Sequence, residues 1–121
     1  MANILLIDDD INIHQIVSLF LENSGHSVAC VASGQSGLDY ARHNDIDLII
    51  LDLAMPGMDG IETNRALKAD TQTAAIPVMI LSVHDETEFP ESICNDGCVG
   101  FVIKPVNMDQ LVSSVDEALA K

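Results

Sequence analysis

The chain has 121 residues, a length that suits one domain with a single core and needs neither disulfides nor a structural metal. Five basic against nineteen acidic residues leave a formal charge of −14, which repels phosphate backbones and anionic lipids and excludes sequence-independent binding to either. Aromatic residues make up 3% of the chain and tryptophan is absent, too little to stack the bases of a single strand.

In chain order, Ile4-Leu5-Leu6-Ile7 is a solid apolar run ended by acids, a buried strand. Ile13, Ile16, Val17, Phe20 and Leu21 then recur at three- and four-residue steps, one face of a helix that Asp10 can cap at its start and Gly25 at its end. Ser27 to Val31 reads as a weaker strand. From about Gly34 to His43 a helix carries Leu38 and Ala41 on one side. Leu48-Ile49-Ile50-Leu51 is the third strand, followed by a loop with Pro56, Gly57 and Gly60 that presents Asp52. A helix over 61–69 precedes the strand Val78-Met79-Ile80-Leu81. A further helix belongs before the fifth strand, Phe101-Val102-Ile103. Pro90 interrupts it, so it starts no earlier than about Thr87, which leaves the proline in the first turn. Met108, Leu111, Val112, Val115 and Leu119 make the last amphipathic helix.

Alternating strands and helices predict an α/β class with a single doubly wound parallel sheet of five strands and five helices, over residues 1–121. The first, third and fourth strands are solidly apolar, as central strands require; the second and fifth suit edges. The order 2-1-3-4-5 satisfies this and puts a switch point between strands one and three, where ligands bind at the carboxyl ends.

Asp8, Asp9 and Asp10 follow the first strand, Asp52 the third, Ser82 the fourth and Lys104 the fifth. Carboxylates gathered at one rim repel one another, and a hard divalent cation with oxygen preference, Mg²⁺ above all, relieves that. Lys104 supplies a point charge for a carboxylate or phosphoryl oxygen, and Ser82 a hydroxyl donor. These are the parts phosphoryl transfer needs, because that chemistry is mostly positioning and charge neutralisation.

Four motifs carry a resemblance: Ile-Asp-Asp-Asp (7–10), Leu-Asp-Leu-Ala-Met-Pro-Gly-Met-Asp-Gly (51–60), Ile-Leu-Ser (80–82) and Val-Ile-Lys-Pro (102–105). In this order the chain resembles the receiver domain of two-component response regulators, chemotaxis regulators among them, over essentially its whole length. The resemblance implies a flavodoxin-like fold with the same strand order. It implies that Asp52 is the phospho-acceptor, taking phosphate from a histidine kinase or histidine phosphotransfer domain. Asp9 would ligate Mg²⁺ directly, with Asp8 beside it often acting through water, and Asp52 and the backbone carbonyl of Ala54 would complete the protein's share. Ser82 and Lys104 would contact the phosphoryl group, Lys104-Pro105 would be a cis peptide, and Phe101 would be the aromatic switch that turns inward when Ser82 moves. Ser82 and Phe101 stand where Thr and Tyr are commoner in that family, changes that keep the chemistry. Cys98 replaces a usual small Ala.

The remaining candidates read as structural. Cys30, Cys94 and Cys98 have no metal or redox spacing and suit core-filling thiols of a reduced, intracellular protein. His14, His26, His43 and His84 share no spacing and read as surface residues, His84 alone lying near the mouth of the site. Met55 and Met58 suit loop packing. The start Met-Ala-Asn lacks a basic lead and a long hydrophobic region, and no apolar stretch approaches the ~18 residues that span a bilayer, so a cytoplasmic protein with no signal peptide and no membrane or nucleic-acid contact is expected.

Two other functions compete. A hydrolase with an aspartate nucleophile, of the haloacid dehalogenase phosphatase type, wants a second acid two residues after the nucleophile, where this chain has Ala54. A flavodoxin-like cofactor binder wants a hydroxyl- and glycine-rich phosphate loop after the first strand, where this chain has acids. A signalling module that phosphorylates itself but turns over no metabolite fits best. It is expected to be a stand-alone regulator or a receiver excised from a larger protein, with its output partner unnamed.

Overall fold

The structure, a computed structural model, describes residues 2–52, 60–82, 98–103 and 107–119. Its strands are β1 (Asn3–Ile7), β2 (Ser27–Val31), β3 (Leu48–Asp52), β4 (Val78–Ser82) and β5 (Cys98–Ile103). Its helices are α1 (Ile11–Asn23), α2 (Gly34–His43), α3 (Gly60–Ala69) and α4 (Met108–Leu119). The helix expected from about Thr87, with Pro90 in it, lies outside the described residues.

All five strands pair in parallel, in the order β2-β1-β3-β4-β5. Parallel neighbours joined through helices leave the sheet covered on both faces, and period-two alternation divides its side chains between two cores. Ile4, Leu6, Leu48, Ile50, Met79 and Leu81 point to one face, packed by Val17 and Leu21 of α1 and by Leu111, Val115 and Ala118 of α4. Leu5, Ile7, Ile49, Leu51, Val78 and Ile80 point to the other, packed by Leu38 and Ala41 of α2 and Leu67 of α3. Each fully buried Leu or Ile contributes about 1.5–3 kcal/mol of transfer free energy. Central β3 is buried at all five positions, while β2 at the edge is exposed or half-buried throughout.

The caps follow the local chemistry. The Asp10 side chain accepts the Asn12 N–H at 2.9 Å; α1 ends at Asn23 with Ser24 as its C-cap, and Gly25 follows with a φ of +95° that suits a residue without Cβ. Ser33 caps α2 by accepting from the Ser36 N–H, and Asn107 caps α4 by accepting from the Gln110 N–H. Lys68, near the end of α3, donates to the carbonyls of Ala74 and Ile76 and pins the turn that leads into β4. The apolar face expected on α1 is buried only in part: Val17 and Leu21 are inside, but Ile16 and Phe20 remain 43% and 38% exposed.

Two histidines correct the surface reading. His26 is half-buried between two elements: its Nδ1 accepts the Ala2 N–H at 3.2 Å and its Nε2 lies 3.1 Å from Asp116 Oδ1 on α4. His14 is half-buried as well, its Nε2 on the backbone carbonyl of Asp8. Cys30 packs half-buried against the α1 core, with Sγ 3.2 Å from Ser18 Oγ.

Candidate functional site

The register decides which strand ends meet. Ile7 of β1 pairs with Leu51 of β3, so Asp8 and Asp52, the next residue on each strand, stand side by side at the carboxyl rim. Asp52 in turn pairs with Leu81, so Ser82 emerges beside it, and Ser82 pairs with Ile103, the residue before Lys104. The switch point between β1 and β3 is therefore flanked by acids on both sides.

Asp8 is fully buried, Asp52 is 3% exposed, and Asp9 lies in solvent. One carboxylate oxygen from each comes within 4.8 Å of the others, and among the described residues this is the one group of three or more such side chains able to hold a metal. An all-oxygen, triply acidic set fits a hard divalent cation and disfavours thiophilic metals. Bringing three carboxylates this close without a cation costs mutual repulsion, which a bound divalent ion reverses in sign.

The β1–α1 turn is held by a backbone bond to β2, by the Asp8 side chain and by the first turn of α1. The Asp8 N–H donates to the Val31 carbonyl at 3.1 Å, the Asp10 N–H donates to Asp8 Oδ1 at 2.9 Å, and the His14 N–H donates to the Asp10 carbonyl at 3.2 Å. The Asp8 side chain is thus oriented from within the loop it opens, and its N–H from β2. Asp10, at the start of the helix, works as a cap and not as a fourth acid of the cluster.

Of the residues singled out from the sequence, the structure brings Asp8, Asp9 and Asp52 together. It sets the backbones of Ser82 and Phe101 in β4 and β5, whose side chains at these positions are not described. Ala54, His84, Pro90, Cys94, Lys104 and Pro105 lie outside the described residues, with the 53–59 loop. His14, which the sequence reading placed at the surface, stands against the β1–α1 turn with its Nε2 on the Asp8 carbonyl. Its signal was present: it stands one turn past the cap residue Asp10, on the side of α1 that faces β2 and the acidic turn.

A family model for the response regulator receiver domain matches residues 4–116. The chain belongs to that family. Relatives include the protein PilH of Pseudomonas aeruginosa, 32% identical over 120 residues that cover 99% of both chains. The transcriptional regulatory protein ZraR of Escherichia coli is 35% identical over 118 residues, 98% of this chain but 26% of its own, so this chain spans about a quarter of that relative. Among solved structures, the chemotaxis protein CheY4 of Vibrio cholerae superimposes with a TM-score of 0.91 at 31% identity, covering 98% of each chain. The receiver domain of the Francisella response regulator 1452 does so with a TM-score of 0.89 at 29% identity, covering 99% of this chain and 98% of its own. The receiver fold and the two-component signalling class expected from the four motifs are therefore those of this chain. Among the described residues no helix is long and apolar enough to cross a membrane.

Proposed function

We propose that this receiver domain, residues 1–121, accepts a phosphoryl group on Asp52 from a histidine kinase or histidine phosphotransfer domain, in a Mg²⁺-dependent reaction. The observation that carries the reading is the buried Asp52 at the carboxyl end of the central strand, with Asp8 and Asp9 oxygens within 4.8 Å. Burial limits the directions from which a donor can reach the Asp52 carboxylate, which suits the in-line geometry of phosphoryl transfer. An oxygen of Asp52 attacks phosphorus, the bond from phosphorus to the donor breaks, and the bonding pair leaves with the donor, so the protein keeps an acyl phosphate.

Asp9, Asp8, Asp52 and the carbonyl of Ala54 would hold the Mg²⁺, whose chemistry when bound is to neutralise charge on the phosphoryl oxygens. Lys104 and Ser82 would contact those oxygens, the lysine as a point charge and the serine as a donor. Phe101 would report the movement of Ser82 to the surface that a downstream partner reads. On this reading the chain is a cytoplasmic signalling module that modifies itself and turns over no metabolite. The phosphatase alternative gains no support from the family match, and Ala54 leaves it without a second acid.

Incubation with acetyl phosphate and Mg²⁺, followed by intact mass, tests the reading. The parent gains a single phosphoryl mass and Asp52→Asn gains none. Undiminished labelling of Asp52→Asn, or sustained multiple turnover of a phosphoester by the parent, refutes it.

A further inference from the structure

Asp9 differs from the other two acids in being exposed, so packing does not hold it. What places it is the peptide that joins it to Asp8. The peptide unit is planar, so the direction of the Asp8 carbonyl fixes where the Asp9 Cα and the root of its side chain lie. That carbonyl meets Nε2 of His14. A carbonyl oxygen only accepts, so the ring carries its hydrogen on Nε2 and donates.

The ring is itself well anchored. The His14 N–H is bound to the Asp10 carbonyl at 3.2 Å, inside the first turn of α1. The His14 carbonyl receives the Cys30 thiol at 4.0 Å, and the same sulfur lies 3.2 Å from Ser18 Oγ. Helix α1 is thereby tied to β2 at the level of His14, and the imidazole reaches back from that tie to the acidic turn. Asp10 and Val31 orient the Asp8 side chain and N–H; the carbonyl has its partner in His14.

We propose that His14 is a positioning residue for metal binding: by holding the Asp8–Asp9 peptide it sets the Asp9 carboxylate where a divalent cation needs it. The inference rests on the Mg²⁺ reading above. His14 touches neither the ion nor the phosphoryl group. Its effect is on the entropy and direction of a ligand that would otherwise sample several rotamers and peptide orientations in solvent. Groups that orient a metal ligand are typically worth ten- to a hundredfold in affinity.

The test compares parent, His14→Phe, His14→Gln and Asp9→Asn by calorimetric Mg²⁺ titration, with urea melts of each in EDTA. The phenyl ring fills the space but cannot donate; the glutamine amide can place an N–H near the ring Nε2. His14→Phe is expected to raise the Mg²⁺ Kd about tenfold, with His14→Gln restoring it close to the parent value. A merely structural histidine would change the EDTA melt and leave the Kd of the folded protein alone. If His14→Phe fails to fold, His14→Asn takes its place, because its amide falls short of the carbonyl. A parent-like Kd for the non-donating variant, or equally weak binding by His14→Gln, overturns the inference while Asp9→Asn still loses the ion. A parent that binds no Mg²⁺ overturns the metal reading and this inference with it.

Discussion

A methyl group added to Gly37 would test how tightly the frame around the acidic rim is built. Gly37 lies on the buried face of α2, and a Cβ there would stand 2.3 Å from Cδ1 and 2.8 Å from Cγ1 of Ile7, the residue immediately before Asp8. Carbon atoms in contact prefer roughly 3.5–4.0 Å, so α2 or the isoleucine must move by more than an ångström. Two terms oppose each other. Alanine in a helix interior gains about 0.5–1 kcal/mol over glycine, whereas overpacking a filled core costs about 1–3 kcal/mol. Ile7 is fully buried and confined by the α2–α3 core, so the second term wins and Gly37→Ala is expected to lose about 1–2 kcal/mol. Ile7→Val alone should cost about 0.5–1.5 kcal/mol, since it removes a buried methyl. In the Gly37→Ala background it removes the atom in the worst clash, so the pair should couple favourably by about 1 kcal/mol. Urea melts of the four proteins in EDTA at fixed ionic strength give the cycle. A Gly37→Ala variant as stable as the parent would refute the reasoning that the space between α2 and Ile7 is filled and cannot give.

Three further expectations follow from other parts of the molecule. Asp9→Asn keeps the volume and removes one repelling charge and one ligand, so in EDTA it should be at least as stable as the parent; with Mg²⁺ at one hundred times its Kd the parent should gain about 2.7 kcal/mol and the variant far less, read from urea melts. The Asn64 side chain is fully buried on α3 and its amide has no hydrogen-bond partner among the described residues, so Asn64→Leu, of similar shape, should raise stability by about 1–2 kcal/mol, checked by thermal melting. The Asp70 carboxyl is held below its usual pKa of 3.8, chiefly by the Gln72 N–H and then by Arg42. A depressed folded-state pKa stabilises above the unfolded value and loses that contribution as pH falls through the folded one, so the link acts above about pH 4 and fades below it; in Arg42→Gln, NMR titration should show Asp70 raised but still below 3.8, because the larger backbone cause remains.

What could be read from the sequence depended on how local the signal was. The three solid apolar runs announced β1, β3 and β4 because strands buried on both faces leave no room for polar residues, and only their end residues Asn3, Asp52 and Ser82 were missed. β5 begins three residues before the expected Phe101, at Cys98, where Gly100 breaks the apolar run and reads as a stop. Asp8, Asp9 and Asp52 were legible as a cluster because strand-end position alone brings them to one rim. Their unequal burial was not, since all three are the same residue type and only the packed structure separates them. His26 and Asp116 are ninety positions apart, and no periodicity reports such a pairing. Thr63 and Asn64 hid their burial because polar side chains on the inner face of α3 imitate a solvent face.

The pairing of β1 directly with β3 has a kinetic consequence. Asp8 and Asp52 are forty-four positions apart in the chain, and they meet only when that central parallel ladder has closed over β2 and α2. Parallel pairing across such a separation comes late, because loop closure opposes it before any contact rewards it. A nascent or unfolding chain therefore offers a cation only scattered carboxylates. An ion that binds the finished rim should leave the folding rate nearly unchanged and express its stabilisation as slower unfolding, so in a denaturant chevron with and without Mg²⁺ the unfolding limb alone should move.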